Sequence, residues 1–374
     1  MSTVGYDIPA TIGMPVAEVE TPALILDLAA FNENLAIMRE ALARYGVRLR
    51  AHGKAHKCPE AAKRQLLTGG ATGICCQKLS EAEAFANAGI DDILIANEVT
   101  QPAKIERLAA LATRIRLGVC VDDKAAATRL SEAATRHGAN IACYVEVNVG
   151  AGRCGIAAGT PAAELAAHIA ELPGLSFEGL QAYHGPAQHI RGLAERETAI
   201  GGALDRVRET LAALGARCIP CPTVTGAGTG SFAYEAASGL YQEMQAGTYA
   251  FMDVDYGRIE PLAGLTPFRN SLFVLASIMS TAIPGQAVCD AGLKSLAVDS
   301  GLPSVFGRGD IVYTGASDEH GVIRDPDGTL KINDQVRLIP GHCDPTCNLY
   351  DHMVVVEGDR VVDIWTIDAR GKSF

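Results

Sequence analysis

Between about residues 28 and 262, short apolar runs alternate with longer Ala-rich amphipathic stretches, and that alternation leaves few folds open. The strand-like runs are Val47–Ala51, Gly73–Cys76, Asp92–Ala96, Arg116–Val121, Ile141–Val147, Leu175–Tyr183, Pro222–Thr225 and Gln245–Met252. Good helix formers fill the stretches around Ala29–Tyr45, Ser80–Ala88, Ala103–Thr113, Asp123–His137, Pro161–Glu171 and Leu193–Leu214. Repeated βα units build a parallel sheet with helices on its outer face, and eight over roughly 235 residues match the size of a TIM-type (β/α)8 barrel.

After residue 263 the texture changes. Phe268–Ser280, Gln286–Asp290, Asp310–Tyr313, Gln335–Ile339, Met353–Glu357 and Arg360–Ile367 are strand-like and are joined by Gly, Asp and Pro turns. Thr21–Leu28, ahead of the barrel, is a further strand candidate suited to that C-terminal sheet. The expected organisation is therefore α/β: a barrel over 28–262, and a mainly β domain built from 1–27 together with 263–374.

Charge and cysteine usage narrow the function. The 374 residues carry 32 Lys and Arg against 43 Asp and Glu, a net charge of −11, with no dense basic cluster. This argues against nucleic acid and anionic membranes, where binding draws on clustered cations. The 11 cysteines are scattered rather than framed, as expected in a reducing compartment. The opening MSTVGYDIPA lacks a basic segment followed by an apolar one, and apolar stretches such as Phe273–Ala276 fall far short of the roughly 20 residues that cross a bilayer. A cytoplasmic protein with a small-molecule partner is expected.

Three segments carry chemistry. Arg50-Ala51-His52-Gly53-Lys54-Ala55-His56-Lys57 sits at the end of the first barrel strand. In extended backbone His52, Lys54 and His56 would share a face, and a Lys desolvated in a barrel mouth loses part of its charge and becomes competent to condense with a carbonyl. A solvated basic turn fits the same residues. Thr225-Gly226-Ala227-Gly228-Thr229-Gly230-Ser231 follows the seventh strand, where barrels commonly hold phosphate. Pro340-Gly341-His342-Cys343-Asp344-Pro345 would, if extended, present His342 and Asp344 on one side, a pair suited to a divalent ion completed by water. Gly150-Ala151-Gly152-Arg153-Cys154-Gly155 and Gln181-Ala182-Tyr183-His184-Gly185 close the fifth and sixth strands. The Cys218/Cys221 spacing has no matching second pair and reads as incidental.

Together with Gly-Ile-Cys-Cys-Gln-Lys at 73–78, Gln-Ala-Gly-Thr-Tyr-Ala-Phe-Met-Asp at 245–253 and Asp-Ala-Gly-Leu-Lys at 290–294, these motifs make the chain resemble, over essentially its whole length, the D-threonine aldolase family. That family includes 3-hydroxy-D-aspartate aldolases and neighbours the metal-dependent D-serine dehydratases. The resemblance implies an alanine-racemase-like barrel, fold type III of pyridoxal-phosphate enzymes, and a homodimer. It implies that Lys54 carries pyridoxal 5'-phosphate, with Arg153 near the phenolic oxygen and Gln245 near the ring nitrogen. Gly228, Thr229, Gly247 and Thr248 would surround the phosphate and Tyr183 would line the ring, with His52, Gln77, Thr225 and Tyr249 completing the cofactor site. His342 and Asp344 would hold a divalent metal, Mn²⁺ or Mg²⁺, with His184 as the base. Ala227 stands where relatives often carry a third Gly.

The implied reaction is retro-aldol cleavage of a D-3-hydroxy amino acid (D-threonine, D-phenylserine or 3-hydroxy-D-aspartate) to glycine and an aldehyde. The rival on this scaffold is β-elimination to ammonia and a keto acid. In the resembling dehydratases the metal pair is His-x-Cys, so Asp344 favours the aldolase. A racemase would need a second acid/base and no metal pair, and a non-catalytic pyridoxal-phosphate-binding protein would turn over no substrate.

Overall fold

The computed structural model describes residues 3–262 and 264–374. The first strand, β1 (Ala23–Asp27), belongs to the sheet made by the C-terminal third of the chain. It leads into α1 (Leu28–Ala43), whose first turn is capped by the Asp27 carboxylate accepting from the Ala30 N–H at 2.9 Å.

Eight parallel strands then close a barrel: β2 (Arg48–His52), β3 (Gly73–Cys76), β4 (Asp92–Glu98), β5 (Arg116–Val121), β6 (Ile141–Glu146), β7 (Leu175–Ala182), β8 (Thr223–Gly226) and β9 (Glu243–Met244). Closure comes from β9 pairing with β2, Glu243 opposite Arg48 and Met244 opposite Leu49. Around it lie α2 (Pro59–Leu67), α3 (Leu79–Asn87), α4 (Pro102–Ala112), α5 (Lys124–His137), α6 (Thr160–Glu171), α7 (Leu193–Ala216) and α8 (Phe232–Ala237). Their boundaries follow local chemistry: Pro in the first turn of α2, α4 and α6, an Asp123 cap on α5, and Gly138 at φ 64° ending it.

After the four-residue α9 (Val254–Gly257), the chain builds β10 (Leu272–Ser280), β11 (Gln286–Cys289), β12 (Ser304–Val305), β13 (Val312–Ala316), β14 (Gly321–Arg324), β15 (Gln335–Ile339), α10 (Cys343–Cys347), β16 (His352–Glu357) and β17 (Arg360–Thr366). With β1 they form a nine-stranded sheet. Within it β1 is central, antiparallel to β10 on one side and parallel to β16 on the other. The expected pairing of an N-terminal strand with the C-terminal sheet is what the fold contains.

Four expectations need correction. The eighth barrel strand is Glu243–Met244, not Gln245–Met252; past Met244 the chain turns through a 3₁₀ segment at Thr248–Ala250, so its apolar residues fill a buried turn. The strand β2 stops at His52, and Gly53–Ala55 is 3₁₀, so the alternation assumed for His52, Lys54 and His56 breaks. His56 turns into the core, where its Nε2 lies 3.1 Å from Gln65 Oε1. His342 and Asp344 do not share an extended segment: His342 caps α10 and Asp344 lies in its first turn. The helices α2, α8, α9 and α10 and the strands β12 and β14 were not anticipated; α2 begins immediately after the basic motif, and the others are short, α8 spanning 6 residues and β14 only 4.

Candidate active site

A cavity of about 240 Å³ opens at the C-terminal end of the barrel strands, lined by His52, Lys54, Gln77, Arg153, Gln181, Tyr183, Ala227, Gly228, Thr229, Gln245, Gly247, Thr248 and Tyr256. This is the end where barrels of this kind gather their chemistry. Ten of the residues predicted from the sequence meet there. Gln181, Ala227 and Tyr256 were not assigned to the site. The first two lie inside motifs already singled out, but nothing in the sequence around Tyr256 signals that it faces this cavity.

Lys54 stands on the 3₁₀ turn and pairs with the Asp344 carboxylate, which α10 brings over from the other end of the chain. Burial alone would lower the ammonium, but Asp344, with smaller contributions from Tyr183 and Cys343, outweighs it and leaves Lys54 above the ordinary lysine value. The expected loss of charge by desolvation is therefore not what this arrangement produces. Burial would likewise raise the Asp344 carboxyl, but Lys54 and His342 hold it well below the usual carboxylate range.

His52 is the neutral floor of the site. Its Nδ1 lies 3.1 Å from the Cys75 carbonyl and its Nε2 3.1 Å from Gln77 Nε2, which fixes the tautomer as donor to the first and acceptor from the second. Burial, then the Lys54 charge, lowers it to about 3. Opposite, Arg153 reaches over the Tyr183 ring with its guanidinium carbon 5.8 Å from the centroid.

Two glycine turns form a cradle. A Cβ on Gly228 would come within 2.6 Å of Gln188 Oε1, and one on Gly247 within 3.1 Å of His52. Among the described residues the N–H groups of Gly228, Thr229 and Gly247 make no backbone hydrogen bond, so they remain free for an anion. The loop is braced from behind, since Gln188 accepts from Gly230 N–H at 3.0 Å and donates to Ser231 Oγ at 2.7 Å. A phosphate fits this donor set, and Lys54 fits a carbonyl partner.

Five predicted residues stand outside the lining: the metal pair His342 and Asp344, and three others. Thr225 lies behind the wall, its Oγ1 accepting from Gln245 Nε2 at 2.9 Å, while Gln245 and Gln181 bond each other reciprocally. Tyr249 is fully buried against Phe268 and binds Thr229 Oγ1 only through its backbone N–H. His184 sits beside Gly150, its Nδ1 accepting the Ala187 N–H at 3.2 Å. Nearby, His189 was not singled out: its Nδ1 is 2.7 Å from Asp255 Oδ2 and its ring packs 6.0 Å from that of Tyr256, which lines the cavity.

His342 Nδ1 lies 2.7 Å from Asp299 Oδ2, a carboxylate–histidine contact that leaves Nε2 as its outward nitrogen. Among the described residues no group of three or more His, Cys, Asp or Glu gathers as a cation site. His342 and Asp344 thus offer two protein donors of suitable hardness, and water or substrate oxygen would have to supply the rest.

The comparisons agree with this architecture. Residues 26–255 match the family model described as alanine racemase, N-terminal domain, and residues 271–356 that described as putative serine dehydratase domain. The chain is 49% identical to a 3-hydroxy-D-aspartate aldolase of Paracoccus denitrificans (strain Pd 1222), covering 99% of this chain and 97% of that protein. It is 49% identical to a D-threonine aldolase of an Arthrobacter species, covering 98% and 96%. It superimposes on the crystal structure of D-threonine aldolase from Filomicrobium marinum with a TM-score of 0.96 at 47% identity, over 98% of this chain and all of that one. A lysine facing a phosphate-sized cradle at the mouth of an alanine-racemase-like barrel, in a chain this similar to named aldolases, makes this protein a lyase of the D-threonine aldolase and 3-hydroxy-D-aspartate aldolase family.

Proposed function

We propose that this aldolase is pyridoxal-phosphate- and divalent-metal-dependent and cleaves D-3-hydroxy amino acids to glycine and an aldehyde. The observation that carries the reading is the meeting of Lys54 with Asp344, which joins the cofactor lysine to the His342/Asp344 segment across the domain boundary. When bound, the cofactor supplies a ring that accepts the electron pair left on Cα, and the ion draws electron density from the β-hydroxyl.

The chain's own residues then divide the work. Lys54 would hold the cofactor carbonyl, and His342 and Asp344 would hold the metal. Gly228, Thr229, Gly247 and Thr248 would hold the phosphate and Gln245 would serve the ring nitrogen, while Arg153, Tyr183, His52 and Gln77 would border the ring. The β-hydroxyl proton has to leave as the Cα–Cβ bond breaks, so a base with a free lone pair is needed. His184 has committed its Nδ1 lone pair to the Ala187 N–H, leaving Nε2 protonated when the ring is neutral. His189 aims Nδ1 at Asp255, so in its neutral ring the proton sits on Nδ1 and the Nε2 lone pair is free. We therefore move the base from His184 to His189. His189→Gln should lower kcat about 100-fold and His184→Gln less than about 5-fold; the reverse order returns the role to His184.

The domain division at 28 and 263 is carried with this reading, supported by the strand pairings. A homodimer is carried with it on the family resemblance alone, and a cytoplasmic location with the 11 free cysteines. No helix among the described residues is long and apolar enough to cross a membrane. The deciding experiment incubates protein, pyridoxal phosphate and Mn²⁺ with D-threonine, D-phenylserine or 3-hydroxy-D-aspartate, with and without chelator, and assays glycine and ammonia together. Chelator-sensitive glycine with an aldehyde is expected and ranks the substrates. Ammonia with a keto acid would make the enzyme a dehydratase.

A further inference from the structure

The barrel mouth holds a cluster that the reaction above leaves unused. Glu98 ends β4 and Glu146 ends β6, with Cys120 on the intervening β5 paired to Glu98. Glu98 Oε1 and Glu146 Oε2 are both buried, and among the described residues neither has a hydrogen-bond partner. Two ionised carboxylates placed together away from water would repel, and two acceptors cannot satisfy one another. A single proton between them turns the two orphans into a donor and an acceptor. The pair's outward contact is Arg153, whose Nη2 lies 3.7 Å from Glu146 Oε1 while its guanidinium covers Tyr183 in the cavity wall.

We propose that Glu98 and Glu146 share one proton and act as the positioning pair for Arg153, their single net charge holding the guanidinium at the cavity wall where it faces the phenolic oxygen of the cofactor. This inference rests on the pyridoxal-phosphate reading of Arg153. The groups facing the pair are Cys120 and Asp122 from β5 and the loop after it, and Arg153 and Cys154 from the loop after β6. Burial keeps both thiols protonated, and Asp122 accepts the Gly155 N–H at 3.1 Å, so Arg153 is the counter-charge. Burial, then the neighbouring Glu98, pushes the Glu146 carboxyl up to about 8. Above that pH the pair gains a second negative charge and draws Arg153 off the cofactor.

Two measurements on the full chain test this. Infrared difference spectra of cofactor-free protein between about pH 6 and pH 10 should show a protonated carboxyl lost on the alkaline side, with one band missing in Glu146→Gln. Titration with pyridoxal phosphate, followed by the absorbance of the lysine adduct, should show wild-type affinity falling above about pH 8. In Glu98→Gln, where the pair is fixed at one charge, it should stay flat. Glu146→Gln should weaken cofactor binding about tenfold at neutral pH, the loss of one charge-assisted contact, and Arg153→Lys should do likewise. Thermal unfolding checks that the variants fold, and Glu98→Gln keeps the test open should Glu146→Gln not. Absence of the infrared band, or a constant ratio of wild-type to Glu98→Gln affinity across pH, overturns the pair. Failure of the wild type to form any adduct overturns the cofactor reading and the inference with it, and the infrared arm shows whether the shared proton survives that failure.

Discussion

At the N-terminal end of the barrel Arg50 donates to Glu243 at 2.9 Å and to Asp92 at 2.7 Å, with Arg48 3.8 Å from Glu243 and Arg116 3.2 Å from Asp92, and only about 10 Å³ of space remains. At the C-terminal end the half-buried Glu98 and the buried Glu146 each keep a buried orphan oxygen beside a cavity of about 240 Å³. Both clusters occupy the same barrel and differ in saturation. Where every charge has its partner the cluster fixes the frame; where partners are missing, a proton or a ligand has somewhere to act.

The largest test strikes the saturated end. Arg50→Met strands Glu243 and Asp92 without their shared guanidinium and should lower the unfolding free energy by about 3–5 kcal/mol, read by denaturant melts. The absorbance of bound cofactor in the molecules that remain folded should be unchanged. A loss below about 1 kcal/mol would mean that this end is not the frame.

A middle-sized effect sharpens the rule for orphans. Glu235 on α8 is buried, accepts from Ser231 Oγ at 2.9 Å through Oε1 and leaves Oε2 unpartnered among the described residues. Burial lifts its carboxyl to about 7. A raised carboxyl favours the protonated fold, so its contribution is complete below the unfolded value and is lost as pH climbs through about 7. Glu235→Gln should remove a slope of about 2–3 kcal/mol between roughly pH 4 and 7. If wild type and variant show parallel stability–pH curves, the orphan oxygen is not a sign of protonation.

The smallest effect concerns the phosphate cradle. Ala227 sits at φ 63°, a left-handed conformation costing about 1–2 kcal/mol for a residue with a Cβ. Ala227→Gly relieves that cost but gives up a buried methyl worth about 0.8 kcal/mol and adds freedom to the unfolded chain. Stability should therefore move by less than about 1 kcal/mol, while cofactor affinity reports on the loop itself. A loss above about 2 kcal/mol would show that the methyl is a packing element of the saturated kind.

Contiguous motifs made much of this site legible. His52, Lys54 and Gln77 lie at or just after strand ends, and the two glycine turns announce their conformations locally. The residues that escaped notice owe their roles to contacts distant in sequence. His189 is ordinary until α9 brings Asp255 to its Nδ1, and Glu98 and Glu146 become a pair only when β4 and β6 flank β5. Long helices with Ala-rich faces were found to within a few residues. The two-residue β9 was displaced, because so short a strand carries no period of its own and the apolar turn after it imitates one. Lys54 was expected to lose charge because its counter-ion lies in another part of the chain.

The central place of β1 has a consequence for how the chain is made. Ile25 pairs with Val354, so β1, once made, waits for a strand roughly 330 residues further along the chain. At roughly 5–20 residues per second, the intervening stretch of roughly 330 residues takes about 15–70 s to synthesise. Until β10 is made, Ala-Leu-Ile-Leu-Asp is an apolar strand with both edges open, and its β16 edge stays open for the whole interval, the kind of segment that pairs with other nascent chains. The sheet that flanks the His342/Asp344 helix cannot be finished without β1. Chaperone demand should therefore concentrate on the interval before β1 is seated between β10 and β16.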